Sequence, residues 1–573
     1  MGALTVISRT AAPDVTARVR ETLSRRGFEA PEIIETKGHT VLLHGGMVSG
    51  EVMLLEREEG GDFAAAAGTL LYRGRYGRAA LAEFLKDAKK GEEDEEALAG
   101  CYVILLSLSG RLRLAVDRLG LYKVHCLADG NVWSSSFLAA AAALKERRFD
   151  KQGVYEFVFQ GATYGGATVL QDVALLSPDR WHSLTPGEPD RERSFPFTLK
   201  VEKRPMAEHV ARAAGTLRQY YGALVEAFGK NVDTALSGGY DSRLTLALLR
   251  SAGAVPEVHV YGGETDPDVV IAKAIAQGEG FTLIHENKER LGDPSPEGVA
   301  RAAEAQFWAF DGCPTDGIVG TGSDLATRRA RAAGGRLALN GGGGEVFRNF
   351  FYMPPGHFSI RDVLHTFYSQ FDPKMATAAF SERRYMAEME RKMAAIFPQA
   401  PKRLDRAEVE FIYPGFRGRF WTGRNTSLNN AFGPALTPFF DMAPVRDAVR
   451  VPLSYKNHGV FEAALIAAID PKLARYPSAY GHAFDEPPPL ARRLKDWGTY
   501  LRPPALRRLS YRMKTRLKTP VLSQFLREDY RRHYLPEGLP RMERFFHLER
   551  IGDSERMNRI ATLEYLAKTF GVD

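Results

Sequence analysis

Residues 231–249 run Asn-Val-Asp-Thr-Ala-Leu-Ser-Gly-Gly-Tyr-Asp-Ser-Arg-Leu-Thr-Leu-Ala-Leu-Leu and change character at a glycine pair. Val232–Leu236 is a short β-type run, and Leu244, Leu246, Leu248 and Leu249 then follow in a helical pattern. A strand, a tight turn at Gly238-Gly239 and a helix N-terminus aim free backbone N–H groups and the positive end of a helix dipole at one point. An anion of phosphate size fits there. The glycines permit close approach, Ser237 and Ser242 add hydroxyl donors, and Asp241 can hold a Mg²⁺ that bridges phosphate oxygens. A glycine-containing turn with a Ser or Asp cap is the plain alternative, and one short motif does not separate the two.

Glu257–Tyr261 and Arg336–Asn340 are further predicted strands among long Ala/Leu helices, an alternation that implies a doubly wound parallel sheet. Arg336–Asn340 runs into Gly341-Gly342-Gly343-Gly344-Glu345, a second backbone cradle ending in a carboxylate. Tyr261-Gly262-Gly263 closes the strand between them, and Asp266-Pro267 caps a helix with Asp268 and Ala272 on its first turns. Strand ends at a topological switch point are where such sheets bind nucleotides. Upstream, β-type runs at Thr40–Leu43, Gly68–Tyr72, Tyr102–Leu108, Leu112–Val116 and Val132–Phe137 are separated by turn signals, and Ser194–Pro205 reads as a linker.

The 573 residues are 44% hydrophobic and 26% charged, an ordinary globular profile with room for several domains. No apolar run approaches the length of a membrane span, and Met1–Val6 lacks the basic start of a secretory signal. Cys101, Cys126 and Cys313 show no CxxC spacing, so a reducing, cytoplasmic setting is expected. The net charge of +7 is uneven, because residues 491–532 hold 13 Lys or Arg against 3 Asp or Glu. There Leu506, Leu509, Met513 and Leu517 recur at helical spacing among Arg507, Arg508, Arg512, Lys514, Arg516 and Lys518. Such a helix can touch tRNA, an anionic membrane surface or an acidic peptide; the commoner arrangement is a docked helix with a solvated basic face.

Ser237–Ser242 matches Ser-Gly-Gly-x-Asp-Ser, the PP-loop of ATP pyrophosphatases, and no Gly-Lys-Ser/Thr follows to make it a Walker A loop. Leu339–Phe347 resembles the Leu-Ser-Gly-x-Gly-Ala-Asp-Glu-x-Phe loop of the asparagine synthetase superfamily, and Thr437-Pro438-Phe439-Phe440-Asp441 resembles its Val/Thr-Pro-Phe-Leu-Asp segment. Val116–Tyr122 and Trp133–Phe137 resemble parts of that family's class II glutamine amidotransferase domain. The resemblance covers residues 1 to about 485 and includes β-lactam synthetases and lasso-peptide cyclases. It implies an α/β protein. Residues 1–195 would be a degenerate, Ntn-hydrolase-like αββα sandwich, and 206–486 a doubly wound PP-loop synthetase domain. Pro487-Pro488-Pro489 then opens a basic helical C-terminal extension, 487–573.

By the same resemblance, ATP lies on Leu236, Ser237, Gly238, Gly239, Asp241, Ser242, Tyr261, Gly341, Gly342 and Gly343. Mg²⁺ lies on Asp241 and Glu345, and Asp241 and Lys456 act in catalysis, the alternative for Lys456 being a solvated surface lysine. Arg243, Arg348 and Asn349 are candidate contacts for an anionic or polar substrate. Several positions depart from the family. Gly2 stands where the amidotransferases carry their nucleophilic Cys, Ala67-Gly68-Thr69 replaces Asn-Gly-Glu, and no Asp follows Gly74–Gly77, so glutamine hydrolysis is not expected. Tyr240 and Arg243 flank the PP-loop, the acidic loop has lost its Asp, and Trp308 of Trp308-Ala309-Phe310-Asp311 replaces a Glu, which argues against aspartate as substrate.

The expected activity is adenylation of a carboxylate and its transfer to an amine, releasing AMP and pyrophosphate, in natural-product or polysaccharide biosynthesis. Expected partners are small-molecule or peptide carboxylates and amines, with a carrier or precursor peptide among the candidates and nucleic acid disfavoured. The alternatives are a PP-loop tRNA-modifying enzyme, against which stands the absence of zinc-type cysteines, and an inactive scaffold of the same fold.

Overall fold

A computed structural model describes residues 2–55, 62–287, 292–517 and 521–573. The chain begins with two antiparallel sheets. In the first, Ala3–Ser8 lies between Val132–Ser134 and His39–His44. In the second, Leu98–Leu108 lies between Phe63–Tyr72 and Arg111–Val116. Phe63–Tyr72 is buried along its whole length because both of its faces are covered. Phe63, Ala65, Ala67 and Leu71 belong to the core shared with the first sheet, whereas Ala64, Ala66, Leu70 and Tyr72 pack with Leu81 and Phe84 of the helix Gly77–Lys90. Helices Val15–Arg26 and Phe137–Ala143 pack on each other and join the first sheet's core, completing a helix–sheet–sheet–helix stack.

Two sequence expectations need adjustment here. The strand read at Gly68–Tyr72 extends back to Phe63; the alanine run hid it, alanine being a poor strand former. The run Val132–Phe137 splits, since the strand stops at Ser134 and the Ser136 hydroxyl accepts from Ala139 N at 3.1 Å to start a helix at Phe137.

The parallel sheet has five strands in the spatial order Leu283–Glu286, Glu257–Tyr261, Val232–Ala235, Leu337–Leu339, Ala435–Leu436. Its first strand in sequence, Val232–Ala235, pairs in parallel with the second on one side and the fourth on the other. This is the doubly wound arrangement, and the strand order reverses between Val232–Ala235 and Leu337–Leu339. The two glycine loops leave the sheet at that switch point.

After the sheet come helices Leu490–Tyr500 and Pro504–Leu517, then Ser554–Phe570, which returns to the main body. Arg559 on this last helix donates to the Thr315 carbonyl at 2.7 Å, and Ile560, Leu563 and Leu566 are fully buried. Among the described residues, no helix is long and apolar enough to cross a membrane.

Candidate functional site

The strand Val232–Ala235 ends in the turn Leu236–Gly239, and the helix Tyr240–Ser251 begins without a side-chain cap. The turn is held from within. Ser237 N donates to Ser242 Oγ at 3.0 Å, the two serine hydroxyls are 2.9 Å apart, and Gly239 N donates to Ser237 Oγ. Gly238 N donates to the Asp268 carboxylate at 2.8 Å, so an anionic group already sits on one loop N–H.

The second glycine loop closes on the first. A Cβ at Gly341 would lie 3.1 Å from the Asp241 carbonyl oxygen; one at Gly344 would lie 2.7 Å from Glu462 Oε1 and 2.8 Å from Asp241 Cγ. At Gly344 something would have to shift for any side chain, and Gly343 takes φ +99°, so these two glycines have a structural cause.

Charge is concentrated where the loops meet. The Arg348 guanidinium lies 2.6 Å from Asp241, 2.8 Å from Glu462 and 3.7 Å from Glu345. Glu345 is further held by the Tyr413 hydroxyl at 2.7 Å and by Gly343 N at 3.1 Å. Tyr413 reaches it from the start of a π-helical stretch, Tyr413–Thr422, that widens the helix Arg406–Ile412.

Three carboxylates thus face one cation. Burial pushes Asp241 up to about 7 against the pull of Arg348, with Glu345 pushing in the same direction as burial. Burial and the neighbouring Asp241 raise Glu462 well above the usual range. Burial would also raise Glu345, but Arg348 and the Tyr413 hydroxyl outweigh it and hold its carboxyl low. Both Glu462 oxygens are buried without a hydrogen-bond partner, so the contact with Arg348 is one of charge without alignment. The set is all-oxygen, as a hard divalent cation requires, but Arg348 already pairs with each carboxylate, and the three do not bring ligand atoms within 4.8 Å of one another. Among the described residues, only Asp233, Glu257 and His259 bring three ligand atoms within 4.8 Å of one another, and Arg331 and Arg336 pair with that cluster.

Lys456 is fully buried, which excludes the surface-lysine alternative. Its Nζ donates to Glu410 at 2.7 Å and to the Val346 carbonyl at 2.8 Å, and burial holds its pKa below the ordinary value although Glu410 opposes this. Lys456, Glu345, Arg348, His458, Tyr480 and Arg492 line a cavity of about 390 Å³. Tyr261 opens on a different cavity of about 290 Å³, shared with Asn340, Arg328 and Asn429. The sheet order sets the Ser237–Ser242 loop between the strands that end at Tyr261 and Leu339.

The other candidate contacts divide. Arg243 is buried and donates to the Tyr476 and Pro477 carbonyls, fastening the segment 476–484 over the Ser237–Ser242 loop. Asn349 binds the Met353 carbonyl and Asn457 and lines the cavity of about 390 Å³ beside Arg348. Asp441 of the Thr437–Asp441 segment accepts from Gly100 N at 2.8 Å, joining the parallel sheet's side of the molecule to the second antiparallel sheet. Asp311 caps the helix Phe137–Ala143 through Phe137 N and Leu138 N and pairs with Arg26, so Trp308–Asp311 lies against the antiparallel part and lines neither of those cavities. The first antiparallel sheet keeps only a cavity of about 20 Å³ at Gly2, room for roughly one water. Gly2 has φ +95°, and a Cβ there would stand 2.0 Å from the His44 carbonyl oxygen. No side chain fits without moving the backbone.

Glu462, Tyr413, Glu410 and Arg492 were not found from sequence. One signal was available for the first: Glu462 is the single charge in the apolar helix Val460–Ile469. The others carry no local mark.

No protein-family model matches the sequence, and no curated protein matches it. Among solved structures, glutamine phosphoribosylpyrophosphate amidotransferase from B. subtilis, complexed with ADP and GMP, is similar at 13% identity and TM-score 0.25, over 50% of this chain and 90% of that one. The allosteric regulatory enzyme of purine biosynthesis is similar at 15% identity and TM-score 0.23, over 45% of this chain. The match spans 65% of that enzyme's length. Likeness at this level carries no argument about activity.

Proposed function

We propose that this chain is an ATP-dependent, AMP-forming amide ligase that works without glutaminase chemistry. The observation that carries it is the meeting of the Ser237–Ser242 and Gly341–Glu345 loops at the switch point of a doubly wound sheet, with three carboxylates and Arg348 between them. The triphosphate would lie on the PP-loop N–H groups, displacing Asp268 from Gly238, with the nucleoside towards Tyr261 and Asn340. Asp241 and Glu345 would hold Mg²⁺ once Arg348 yields to it, and the ion would supply charge neutralisation at the phosphates. Arg348 and Lys456, both facing the cavity of about 390 Å³, would orient a carboxylate substrate and offset the charge that grows as its oxygen attacks the α-phosphorus, the α–β phosphoanhydride bond breaks and pyrophosphate leaves. An amine would then displace AMP from the acyl group.

The closed site at Gly2 supports an amine that is not drawn from glutamine. The tRNA alternative loses support, because Arg507, Arg508 and Arg512 point inward to carbonyls and Glu382. Exchange of labelled pyrophosphate into ATP across a panel of carboxylates tests the proposal. Exchange with one class, lost in Asp241→Asn, is expected; ADP as product, or full exchange in the variant, overturns it.

A further inference from the structure

The helix Pro504–Leu517 is turned opposite to expectation, and the helix Leu490–Tyr500 before it is turned the same way. Their polar sides face inward. Asp496 binds His458 at 2.8 Å, Arg492 lies 4.0 Å over the Tyr480 ring, and Arg507 donates to the Phe351 carbonyl at 2.8 Å. Arg508 and Arg512 pair with Glu382, and the Tyr511 hydroxyl donates to the Thr366 carbonyl. Lys518 and the side chain of Arg516 lie outside the described residues.

The apolar stripes face out. On the first helix Leu490, Leu494, Trp497 and Leu501, spaced as one helical face, are between 59% and 72% exposed. On the second, Leu506, Leu509, Met513 and Leu517 are between 54% and 80% exposed. Scattered exposed leucines need no explanation, but two aligned stripes on consecutive helices do. Arg493, Lys495, Arg502 and Lys514 are exposed around them. Between Leu490 and Val521 the chain carries one acidic residue, Asp496, and that residue is buried against His458.

We propose that this outer face adsorbs to an anionic lipid surface, with the leucines and Trp497 in the headgroup–acyl boundary and the basic residues on the headgroups. Lys514 is matched by Glu549, Asp553 and Glu555 across a neighbouring cavity, but Arg493, Lys495 and Arg502 border the stripes with no exposed carboxylate on either helix. An apolar stripe bearing Trp with such a cationic border is the composition that a lipid interface selects. A soluble apolar partner would account for the leucines but not for that border. The inner side of the same helices walls the cavity of about 390 Å³ through Asp496, Tyr500 and Arg507, so adsorption sets that cavity beside the lipid surface. The adsorption itself is independent of the ligase proposal.

The test is co-sedimentation of the full chain with phosphatidylcholine vesicles, plain or carrying about 30% phosphatidylglycerol, with Trp497 fluorescence as a second readout. Binding at least about tenfold stronger to the anionic vesicles, weakened by salt, is expected. The double variant Leu494→Glu/Leu509→Glu should lose it with an unchanged melting temperature, since both positions are exposed. Arg493→Glu/Lys495→Glu should lose the preference for anionic lipid. Absence of binding to anionic vesicles, or equal binding by the Leu494→Glu/Leu509→Glu variant, overturns the proposal. So does a dimer in lipid-free solution that this variant dissolves, which would assign the face to a second copy. Pyrophosphate exchange without vesicles should match wild type in both variants, so failure here and failure of the ligase proposal are told apart.

Discussion

Gly344→Ala isolates the close approach of the two loops. The added methyl would stand 2.7 Å from Glu462 Oε1 and 2.8 Å from Asp241 Cγ, and ordinary van der Waals contact requires the neighbours to retreat by roughly 0.7 Å. Gly344 is buried, and Glu462 is fully buried on a packed helix, so the strain falls on the loop. Overpacking of this kind costs about 1–3 kcal/mol, a small shift in melting temperature for a chain of this size. Activity should suffer far more, because a misplacement of about 1 Å among reacting groups costs on the order of a hundredfold. The assay pairs pyrophosphate exchange with thermal unfolding. Gly215→Ala, in the helix Met206–Phe228 with open space around its Cβ, is the control and should gain stability by up to about 1 kcal/mol at unchanged exchange. If Gly344→Ala exchanges pyrophosphate at the wild-type rate, the loops need not meet for catalysis and the site as described is wrong.

Breaking the buried Lys456–Glu410 pair should cost about 3–5 kcal/mol by urea unfolding. Lys456→Met should fall at the lower end, because Glu410 retains Arg406, while Glu410→Gln strands a buried ammonium and should be worse. Gly2→Cys should restore no glutaminase activity and should lower the melting temperature, since its φ of +95° and the His44 carbonyl both oppose a side chain. His125 is buried and its Nδ1 has no hydrogen-bond partner; burial pushes its pKa down to about 4. The unfolded chain takes up that proton near pH 6.5 and the folded chain does not, so stability present above pH 6.5 drains away towards pH 4, by about 3 kcal/mol. Unfolding free energies of His125→Gln should show a shallower loss across that interval. Asp311 acts at still lower pH. Burial works against its charge, but Arg26 holds its carboxyl below the usual range, so its stabilisation persists above about pH 4 and is lost as pH falls through its folded value. Asp311→Asn should flatten the acid limb of the unfolding profile below pH 4.

The strand–turn–helix cradle was legible because its causes are contiguous. Strand, turn and helix of residues 232–251 follow one another in the chain, and period and glycine placement announce each. The alternation of helices and strands after Met206 likewise carried the doubly wound order, since a parallel strand requires a crossover between its neighbours. What surrounds the cradle was not legible. Glu462, Tyr413 and Glu410 arrive from more than 150 residues downstream of Asp241, and their convergence depends on how separate helices dock. Lys456 was named from sequence, yet its burial against Glu410 was not, because a charged residue announces neither its depth nor its partner. Gly2 was visible in sequence; that its position admits no side chain was decided by the carbonyl of His44 on the neighbouring strand. The helices at 490–517 show the division most plainly. Periodicity alone determined that the second has an apolar stripe and a basic side, but a helix with two faces can dock by either. The carbonyls of Phe351 and Tyr352 and the carboxylate of Glu382, fixed by the rest of the fold, bind the arginines and so turn the leucines outward.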